Sequence, residues 1–251
     1  MPWMQAKTRR LPGIQPVKAG EWLLRDDAFA AQMALRDRLI SERLAEVYQA
    51  MPASLPAQEE LLETVLVELD GGYEKGSKAV LRPDGMKVPL AGVPIIVAAR
   101  LVQEDWLLLD MRGEPVLDAA VLCFPASWTL AEKFGAGLMD IHGYVDEYDA
   151  DMARRVLRMF AAIRPEQPLW RANFLRYQSP SLFQPRRVGE SKPFAGQGGY
   201  VRVERQTLRK LAITGAVVFG IHTFVVPWSA LGLAEQREFD LWASGNPVMT
   251  T

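Results

Sequence analysis

The sequence predicts an α+β fold built on an antiparallel sheet. Apolar residues recur at helical spacing over the first third of the chain, whereas extended and alternating patterns dominate from residue 93 onward. The strand candidates are joined by short turns and do not alternate with helices, which favours antiparallel pairing over a doubly wound sheet. With 251 residues, 49% of them hydrophobic, the chain can bury one sizeable core.

The N-terminal elements are predicted to be an irregular arm and two helices. Prolines and a glycine interrupt residues 1–22. Residues 26–51 have the apolar spacing of a long helix with an aspartate at its start, and Pro52 ends it. A second helix is predicted over residues 56–69. Residues 70–92 are rich in glycine, proline and charge, which predicts a loop.

Three extended segments are predicted next. Residues 93–98 are apolar and partly β-branched, which is typical of a strand. Residues 106–109 and 116–124 predict two more strands. The turn at residues 110–114 contains a glycine and would pair these two strands as a hairpin.

The middle of the chain holds a helix start and one of its two histidines. Thr129 and Glu132 form a T-x-x-E capping box, in which each side chain would satisfy a backbone N–H at the helix start. The helix is expected to end at Gly135 or Gly137, because glycine tolerates a left-handed turn. His142 follows, and with no second histidine three or four residues away its spacing alone favours a histidine without a metal.

The second half of the chain is predicted to supply strands and a final helix. The predicted elements are a helix over residues 149–164, strands over 169–177, 200–206 and 216–226, and a helix that reaches about residue 242. Residues 178–199 are rich in proline and glycine, which predicts a long loop. Loops of this length in a compact domain are usually functional or disordered.

Charge and cysteine content exclude several classes of function. Basic and acidic residues number 29 and 30, so no net field favours nucleic acid or an anionic membrane. Cys123 is the single cysteine, so the chain forms no intramolecular disulfide and holds no iron–sulfur cluster by itself. No apolar run approaches ~18 residues and no signal-peptide segment is recognisable, so a soluble cytoplasmic protein is expected.

Common catalytic motifs are missing from the sequence. It has no P-loop and no G-x-S-x-G elbow. The glycine cluster at residues 196–199 precedes a strand, whereas a dinucleotide fingerprint follows a strand and opens a helix. Cys123 lies at the end of an apolar strand, which is typical of a buried, inert thiol.

Four blocks along the chain carry the most specific functional signal. They are Gln103-Glu104-Asp105; Cys123-Phe124-Pro125-x-Ser127-Trp128 with Glu132-Lys133-x-Gly135 and Ile141-His142; Trp170-Arg171-x-Asn173-Phe174 with Leu182-Phe183-Gln184-Pro185; and RVERQTLRKL at residues 202–211 with Thr214-Gly215-Ala216. In their order and spacing these blocks resemble the haem-dependent oxidative N-demethylase alpha-subunit family. The resemblance extends from about Leu11 to about Leu231.

The resemblance implies a PAS-like fold, in which an antiparallel sheet cups a b-type haem. An N-terminal helical extension and a C-terminal helix would flank this sheet. The implied domains are an arm and helical extension packed on the core at residues 1–92, a PAS-like haem-binding core at 93–231, and a C-terminal tail at 232–251.

The resemblance also implies an activity and its partners. The reaction would be O2-dependent oxidative N-demethylation of a small secondary amine such as dimethylamine, catalysed by a haem-dependent monooxygenase. Electrons would come from NADPH through flavin and a [2Fe–2S] cluster on partner reductase subunits, in agreement with the single cysteine of this chain. The alternatives are a non-catalytic haem-binding PAS-type sensor or carrier, and a relative without haem.

Both histidines are candidates for the haem-iron ligand that the resemblance implies, because a neutral imidazole is a common ligand in oxygen-handling proteins. His142 is the predicted ligand, since it lies in a family-like block before Gly143, where the backbone can approach closely. His222 lies in a predicted strand and is the second-choice ligand or a pocket residue. The alternative for His222 is a sheet histidine hydrogen-bonded to a neighbour.

Charged side chains on the later strands are the candidate catalytic residues. Arg171 or Arg202 would donate hydrogen bonds to oxygen as it gains negative charge. Glu204 shares a strand face with Arg202 and would bind a protonated amine. Trp170 would supply an aromatic wall and Asn173 would orient ligands. The alternative is that Arg202, Glu204 and Arg205 form a structural ion-pair network.

Overall fold

A seven-stranded antiparallel sheet is the centre of the fold. The structure is a computed structural model that describes residues 1–5, 7–8, 13–137, 158–190 and 199–244. The sheet contains β1 (Gln15–Pro16), β2 (Tyr48–Ala50), β6 (Asp105–Asp110), β7 (Val116–Val121), β8 (Leu169–Tyr177), β9 (Tyr200–Lys210) and β10 (Val217–Pro227). They lie in the order β1-β8-β9-β10-β6-β7-β2, and each neighbouring pair is antiparallel. The predicted α+β class and antiparallel sheet are therefore confirmed.

A second, three-stranded sheet lies in the region predicted to be a loop. Its strands are β3 (Glu74–Lys75), β4 (Ala79–Leu81) and β5 (Lys87–Pro89). The prediction for residues 70–92 was wrong because strands of two or three residues are too short to show an alternating pattern. Val80 and Val88 are buried and join these strands to the main core.

The helices lie on both sides of the seven-stranded sheet. They are α1 (Phe29–Glu42), α2 (Leu44–Val47), α3 (Leu55–Glu68), α4 (Pro94–Ala99), α5 (Leu130–Lys133), α6 (helical residues 158–162) and α7 (Leu233–Ser244). Apolar residues of α1, α3 and α4 pack with Trp106 and Leu108 on one face. Leu130 of α5 and Phe160 of α6 pack with Leu107 and Leu208 on the other face, which we call the site face.

Two sequence predictions of secondary structure, one of a strand and one of a helix, need correction. Residues 94–99 form α4 rather than a strand, because Pro94 stands at the first turn, where its missing N–H and fixed φ favour a helix. The long helix predicted to end at Pro52 stops at Glu42, and residues 48–50 form β2. Arg43 lies between α1 and α2 with non-helical backbone angles, which breaks the helix there.

The capping box and the glycine stop are in the predicted places. Thr129 is the N-cap of α5, and its hydroxyl donates to Glu132 Oε2 at 2.6 Å. The Thr129 side chain therefore bonds to Glu132 and not, as predicted, to a backbone N–H of the helix, while Glu132 Oε1 accepts the backbone N–H of Val188 at 2.8 Å. Gly135 has φ +74°, which is the left-handed conformation expected after the helix end.

The N-terminal segment contributes directly to the main sheet. β1 pairs with β8, and β2 pairs with β7. The proposed boundary at residue 92 therefore separates two strands from the sheet to which they belong in space, and the division into domains stays a prediction. Within the described residues, no helix has the length and apolar character needed to cross a bilayer.

Candidate functional site

The register of the three long strands brings together polar residues on the site face. Glu204 of β9 lies between Asn173 of β8 and Thr223 of β10, as their Cα partner on either side. Side chains two residues apart point to the same face of a strand, so Arg202 and Gln206 lie beside Glu204 along β9. These residues continue, in the same face, the apolar surface formed by Leu208 and its neighbours.

Arg202 and Glu204 form a buried ion pair. Arg202 is 2% exposed and Glu204 7% exposed, and Arg202 Nε lies 3.3 Å from Glu204 Oε1. The other two guanidinium nitrogens donate to backbone carbonyls of Phe124 and Leu182. Gln206 Nε2 donates to Glu204 Oε2 at 3.1 Å. All three nitrogens of Arg202 are therefore engaged by the protein.

Arg171 is placed differently from Arg202. Its Nε is buried and has no hydrogen-bond partner among the described residues. Burial lowers the pKa of the Arg171 guanidinium, and the Glu204 carboxylate opposes that shift. Thr223 Oγ1 is a second buried atom on this face for which the described residues supply no partner. Buried polar groups are normally satisfied, so both atoms have hydrogen-bonding capacity that a ligand could use.

Lys133 adds a third cation near Glu204. Burial lowers the pKa of its ammonium group, whereas Glu132 and Glu204 oppose the shift. Lys133 Nζ lies 4.8 Å from the centre of the Trp128 ring. The charge of Glu204 thus acts on both Lys133 and Arg171, and Glu204 pairs directly with Arg202. Within the described residues, these three cations outnumber the carboxylates Glu204 and Glu132 that act on them.

A strained loop borders the site. Ser127 has φ +64°, and among the described residues it is the one residue other than glycine with a positive φ. Its N–H donates to Gln184 O at 3.0 Å, and Gln184 N–H donates to Pro125 O at 3.2 Å. Burial raises the pKa of the neighbouring Tyr177 phenol, Glu204 adds to this shift, and a hydrogen bond with Ser127 opposes it. Strain of this kind is common at functional sites.

His222 lies on the opposite face of the sheet in a network of carboxylates. It is fully buried, with Nδ1 3.2 Å from Glu104 Oε1 and Nε2 3.3 Å from Asp26 Oδ2. Burial opposes protonation, but the hydrogen bonds to Asp26 and Glu104 outweigh it and raise the pKa of His222 to about 9. The arrangement matches the expected alternative of a hydrogen-bonded sheet histidine, and both ring nitrogens are engaged.

The remaining predicted residues are divided between the two faces. Asn173 lies on the site face beside Glu204. Trp170 alternates with Arg171 and so points to the opposite face, where Arg205 Cζ lies 5.6 Å from the centre of its ring. The structure therefore separates Trp170 from Arg171, Arg202 and Glu204. His142, the predicted iron ligand, lies outside the described residues.

Several residues of the site were not assigned a role from the sequence. Gln206 and Tyr177 follow from strand alternation, because they share a face with Glu204 and Arg171 respectively. Predicting that Thr223 lies beside Glu204 requires the register of β9 against β10, which cannot be read from the sequence. Lys133 and Ser127 lay inside the quoted blocks, but the left-handed backbone at Ser127 had no signal in the sequence.

The buried cysteine and the two recorded cavities lie apart from the charged residues of the site. Cys123 is buried, and burial raises the pKa of its thiol to about 12, in agreement with the predicted inert cysteine. One cavity of about 240 Å³ is lined by Pro125, Phe183 and Arg186, among others, and a second of about 360 Å³ by residues between 162 and 169. Neither is lined by Arg171, Arg202 or Glu204, so the site is defined by its buried charges.

Comparison with protein families agrees with the blocks found in the sequence. The family model described as "Haem-dependent oxidative N-demethylase, alpha subunit-like" matches residues 13–241. The match includes every strand of the seven-stranded sheet and all of the charged residues on the site face. The chain therefore belongs to the haem-dependent oxidative N-demethylase, alpha subunit-like family.

Proposed function

We propose that this chain is the haem-containing oxygenase subunit of an amine N-demethylase. The proposed reaction is O2-dependent removal of a methyl group from a small secondary amine such as dimethylamine, which gives the primary amine and formaldehyde. Electrons would come from NADPH through flavin and a [2Fe–2S] cluster on partner reductase subunits, in the cytoplasm. The cluster of positive charge around Glu204, formed by the buried Arg202 and the half-buried Lys133 and Arg171, is the observation that carries the proposal.

Charged and polar residues on the site face support the proposed haem. Arg202 is paired with Glu204, whereas the described residues show no ion pair for the half-buried Arg171, so this guanidinium favours an anionic partner. Haem b presents two carboxylates on an apolar macrocycle, and the site face places cations next to the buried apolar cluster that contains Leu208 and Ile221. Arg171 Nε and Thr223 Oγ1, which have no partner among the described residues, provide hydrogen-bonding capacity for such a group. This arrangement supports the proposed PAS-like sheet that cups the haem.

Each predicted residue has a role in this proposal. His142 would hold the haem iron, and the bound haem would supply the reduction of dioxygen and the oxidation of the N-methyl carbon. Arg171 is the better candidate for the distal donor, because Arg202 already uses all three nitrogens. Glu204 would accept a hydrogen bond from the protonated amine, and Asn173 would orient it. Trp170 and His222 would act from behind the sheet as structural residues.

The cofactor proposal is tested by an absorption spectrum of the purified chain, produced with a haem precursor. A Soret band that shifts with dithionite and carbon monoxide is expected. His142→Ala is expected to lose the haem, whereas His222→Gln is expected to retain it. Loss of haem in the His222 variant alone would reverse the ligand assignment, and no haem binding under any condition would refute the proposed function.

The activity is tested with dimethylamine, NADPH and a competent reductase. Formaldehyde release would support the enzyme, whereas a haem spectrum without formaldehyde would support the sensor or carrier.

Glu204→Gln is expected to raise the KM for the amine about tenfold or more, because a charge-assisted hydrogen bond contributes about 1.5–3 kcal/mol. Glu68→Gln is the matched control, since Glu68 pairs with Arg209 at 2.7 Å on the other face of the sheet. An unchanged KM in Glu204→Gln would remove the amine-binding role.

A further inference from the structure

Asp105 is a fully buried carboxylate at the start of β6 and is separate from the charged residues of the site face, such as Arg202 and Glu204. Its Oδ1 accepts the backbone N–H of Cys123 and its Oδ2 that of Phe124, each at 2.8 Å. These two amides follow the end of β7 at Val121, where the strand ladder no longer supplies partners. One carboxylate therefore fixes the backbone at residues 123–124.

Arg36 of α1 fixes Asp105 in turn. Its Nη1 donates to Asp105 Oδ1 at 2.8 Å, and its Nη2 donates to Gln103 O at 2.6 Å. Both side chains of the pair are fully buried, and Arg36 Cζ lies 4.6 Å from the centre of the Phe124 ring. Rotation of the Asp105 carboxylate would break at least one of these hydrogen bonds, so the contacts fix its orientation.

The fixed segment is also where Arg202 is held. Arg202 Nη2 donates to the carbonyl oxygen of Phe124, and Nη1 donates to Leu182 O at 3.0 Å. Because the guanidinium is planar and rigid, these two acceptors determine the direction of its remaining Nε–H. That group points to Glu204 Oε1 at 3.3 Å.

We propose that Asp105 and Arg36 are positioning residues for the candidate site, and that they act through the Phe124 carbonyl on Arg202 and hence on Glu204. The chain of contacts runs from helix α1 to the site face without an exposed residue. It gives a function to the Gln103-Glu104-Asp105 block beyond local stability. The consequence for amine binding rests on the proposed function, whereas the coupling between Asp105 and Arg202 does not.

The coupling is measured by NMR on the full chain, without amine and independently of turnover. The Arg202 Nε–H signal is identified by its loss in Arg202→Lys. Asp105→Asn keeps the size of the side chain but places an amide donor against a backbone N–H, so the segment 123–124 should loosen. Hydrogen exchange of the Arg202 Nε–H is expected to accelerate about tenfold or more, since a loss of about 1.4 kcal/mol corresponds to a factor of ten.

Glu60→Gln is the matched control. Glu60 is likewise a buried carboxylate that accepts two backbone N–H groups, those of Ile213 at 2.7 Å and Thr214 at 2.8 Å. It holds the turn between β9 and β10 and has no contact with Arg202. The exchange rate of Arg202 is expected to stay unchanged in this variant. An unchanged rate in folded Asp105→Asn, or an equal acceleration in both variants, would overturn the proposal.

A second variant, Arg36→Lys, tests the proposal if Asp105→Asn does not fold. Arg36→Lys keeps the positive charge but provides fewer donors, so it is expected to accelerate the same exchange by a smaller factor. With dimethylamine, Asp105→Asn should raise KM about tenfold with haem content unchanged, and adding it to Arg202→Lys should raise KM no further. Absence of amine turnover in the unmodified chain would refute the proposed function, while the exchange rates would still decide the positioning role.

Discussion

The charge of His222 is set by the carboxylates that face it. Asp26 precedes α1 and Glu104 precedes β6, and His222 of β10 binds both through its two ring nitrogens. Gln103 Nε2 donates to Asp26 Oδ1 at 2.6 Å, which fixes the same carboxylate from another side. The protonated imidazole therefore joins three segments that are distant in sequence.

The protonation of His222 makes the stability of the protein depend on pH. Its pKa rises from 6.5 to about 9 on folding. A raised pKa gives stability that is present in full below pH 6.5 and is lost as the pH rises through 9. At about 1.4 kcal/mol per pKa unit, the loss is of the order of 3 kcal/mol. Urea unfolding between pH 6 and pH 9.5 measures it.

The His222→Gln variant is the control for this pH dependence. Glutamine has no proton to lose in this range, so the variant should be less stable at pH 6 and show a flatter profile. A decline in stability with pH that is equally steep in both proteins would mean that another group is responsible.

Strand alternation accounts for what the sequence predicted about the site. Arg202 and Glu204 are two residues apart on one strand, so their common face follows from the pleat alone. The same rule places Trp170 and Arg171 on opposite faces, because they are adjacent. The position of Asn173 and Thr223 on either side of Glu204 depends instead on register between strands, which is determined by packing along the whole sheet.

At the level of elements, the strands of the main sheet from β6 onward were predicted, whereas the shortest strands, α4 and the break in the long helix at Arg43 were not. β8 spans the nine residues expected, Leu169–Tyr177, and the hairpin of β6 and β7 was also predicted. α4 was missed because six apolar residues buried on several sides show no helical period, and Ile95, Ile96 and Val97 favour a strand by composition. In α4 the packing against α3 outweighs this local preference.

Strand β10 contains a position where only glycine fits. Gly220 lies between Thr207 of β9 and Trp106 of β6. A Cβ at this position would lie 2.7 Å from Thr207 Oγ1 and 2.8 Å from a ring carbon of Trp106. Gly220→Ala should therefore destabilise the protein by about 1–3 kcal/mol, as expected for overpacking in a core. Chemical unfolding measures this difference.

Gly113 is the matched control for that substitution. It lies in the turn between β6 and β7, and no atom would lie within 4 Å of an added Cβ. Gly113→Ala should change stability by less than about 0.5 kcal/mol. Equal effects of the two substitutions would show that backbone flexibility, rather than close packing, explains the result at Gly220.

Across the whole molecule, the two ends of the described chain close one part of the core. Trp3 is fully buried in the turn at Pro2–Met4, and its Nε1 donates to Glu235 O at 2.9 Å. Its ring centre lies 5.4 Å from that of Phe174 in β8 and 5.1 Å from that of Phe239 in α7. The N-terminal arm and α7 thus cover the outer strands on the face opposite the site.

Because Trp3 packs against Phe239, a substitution of Trp3 should weaken the packing of helix α7. Trp3→Ala should lower the free energy of unfolding by about 3–5 kcal/mol, because it leaves a cavity among aromatic rings. The near-ultraviolet circular dichroism of the protein should change as well, since Phe239 and Phe174 lose a ring contact. Leu241→Ala, on the same helix but 60% exposed, should leave both measurements nearly unchanged. If Trp3→Ala behaves like Leu241→Ala, the arm does not hold α7 against the sheet, and the two ends of the chain are stabilised independently.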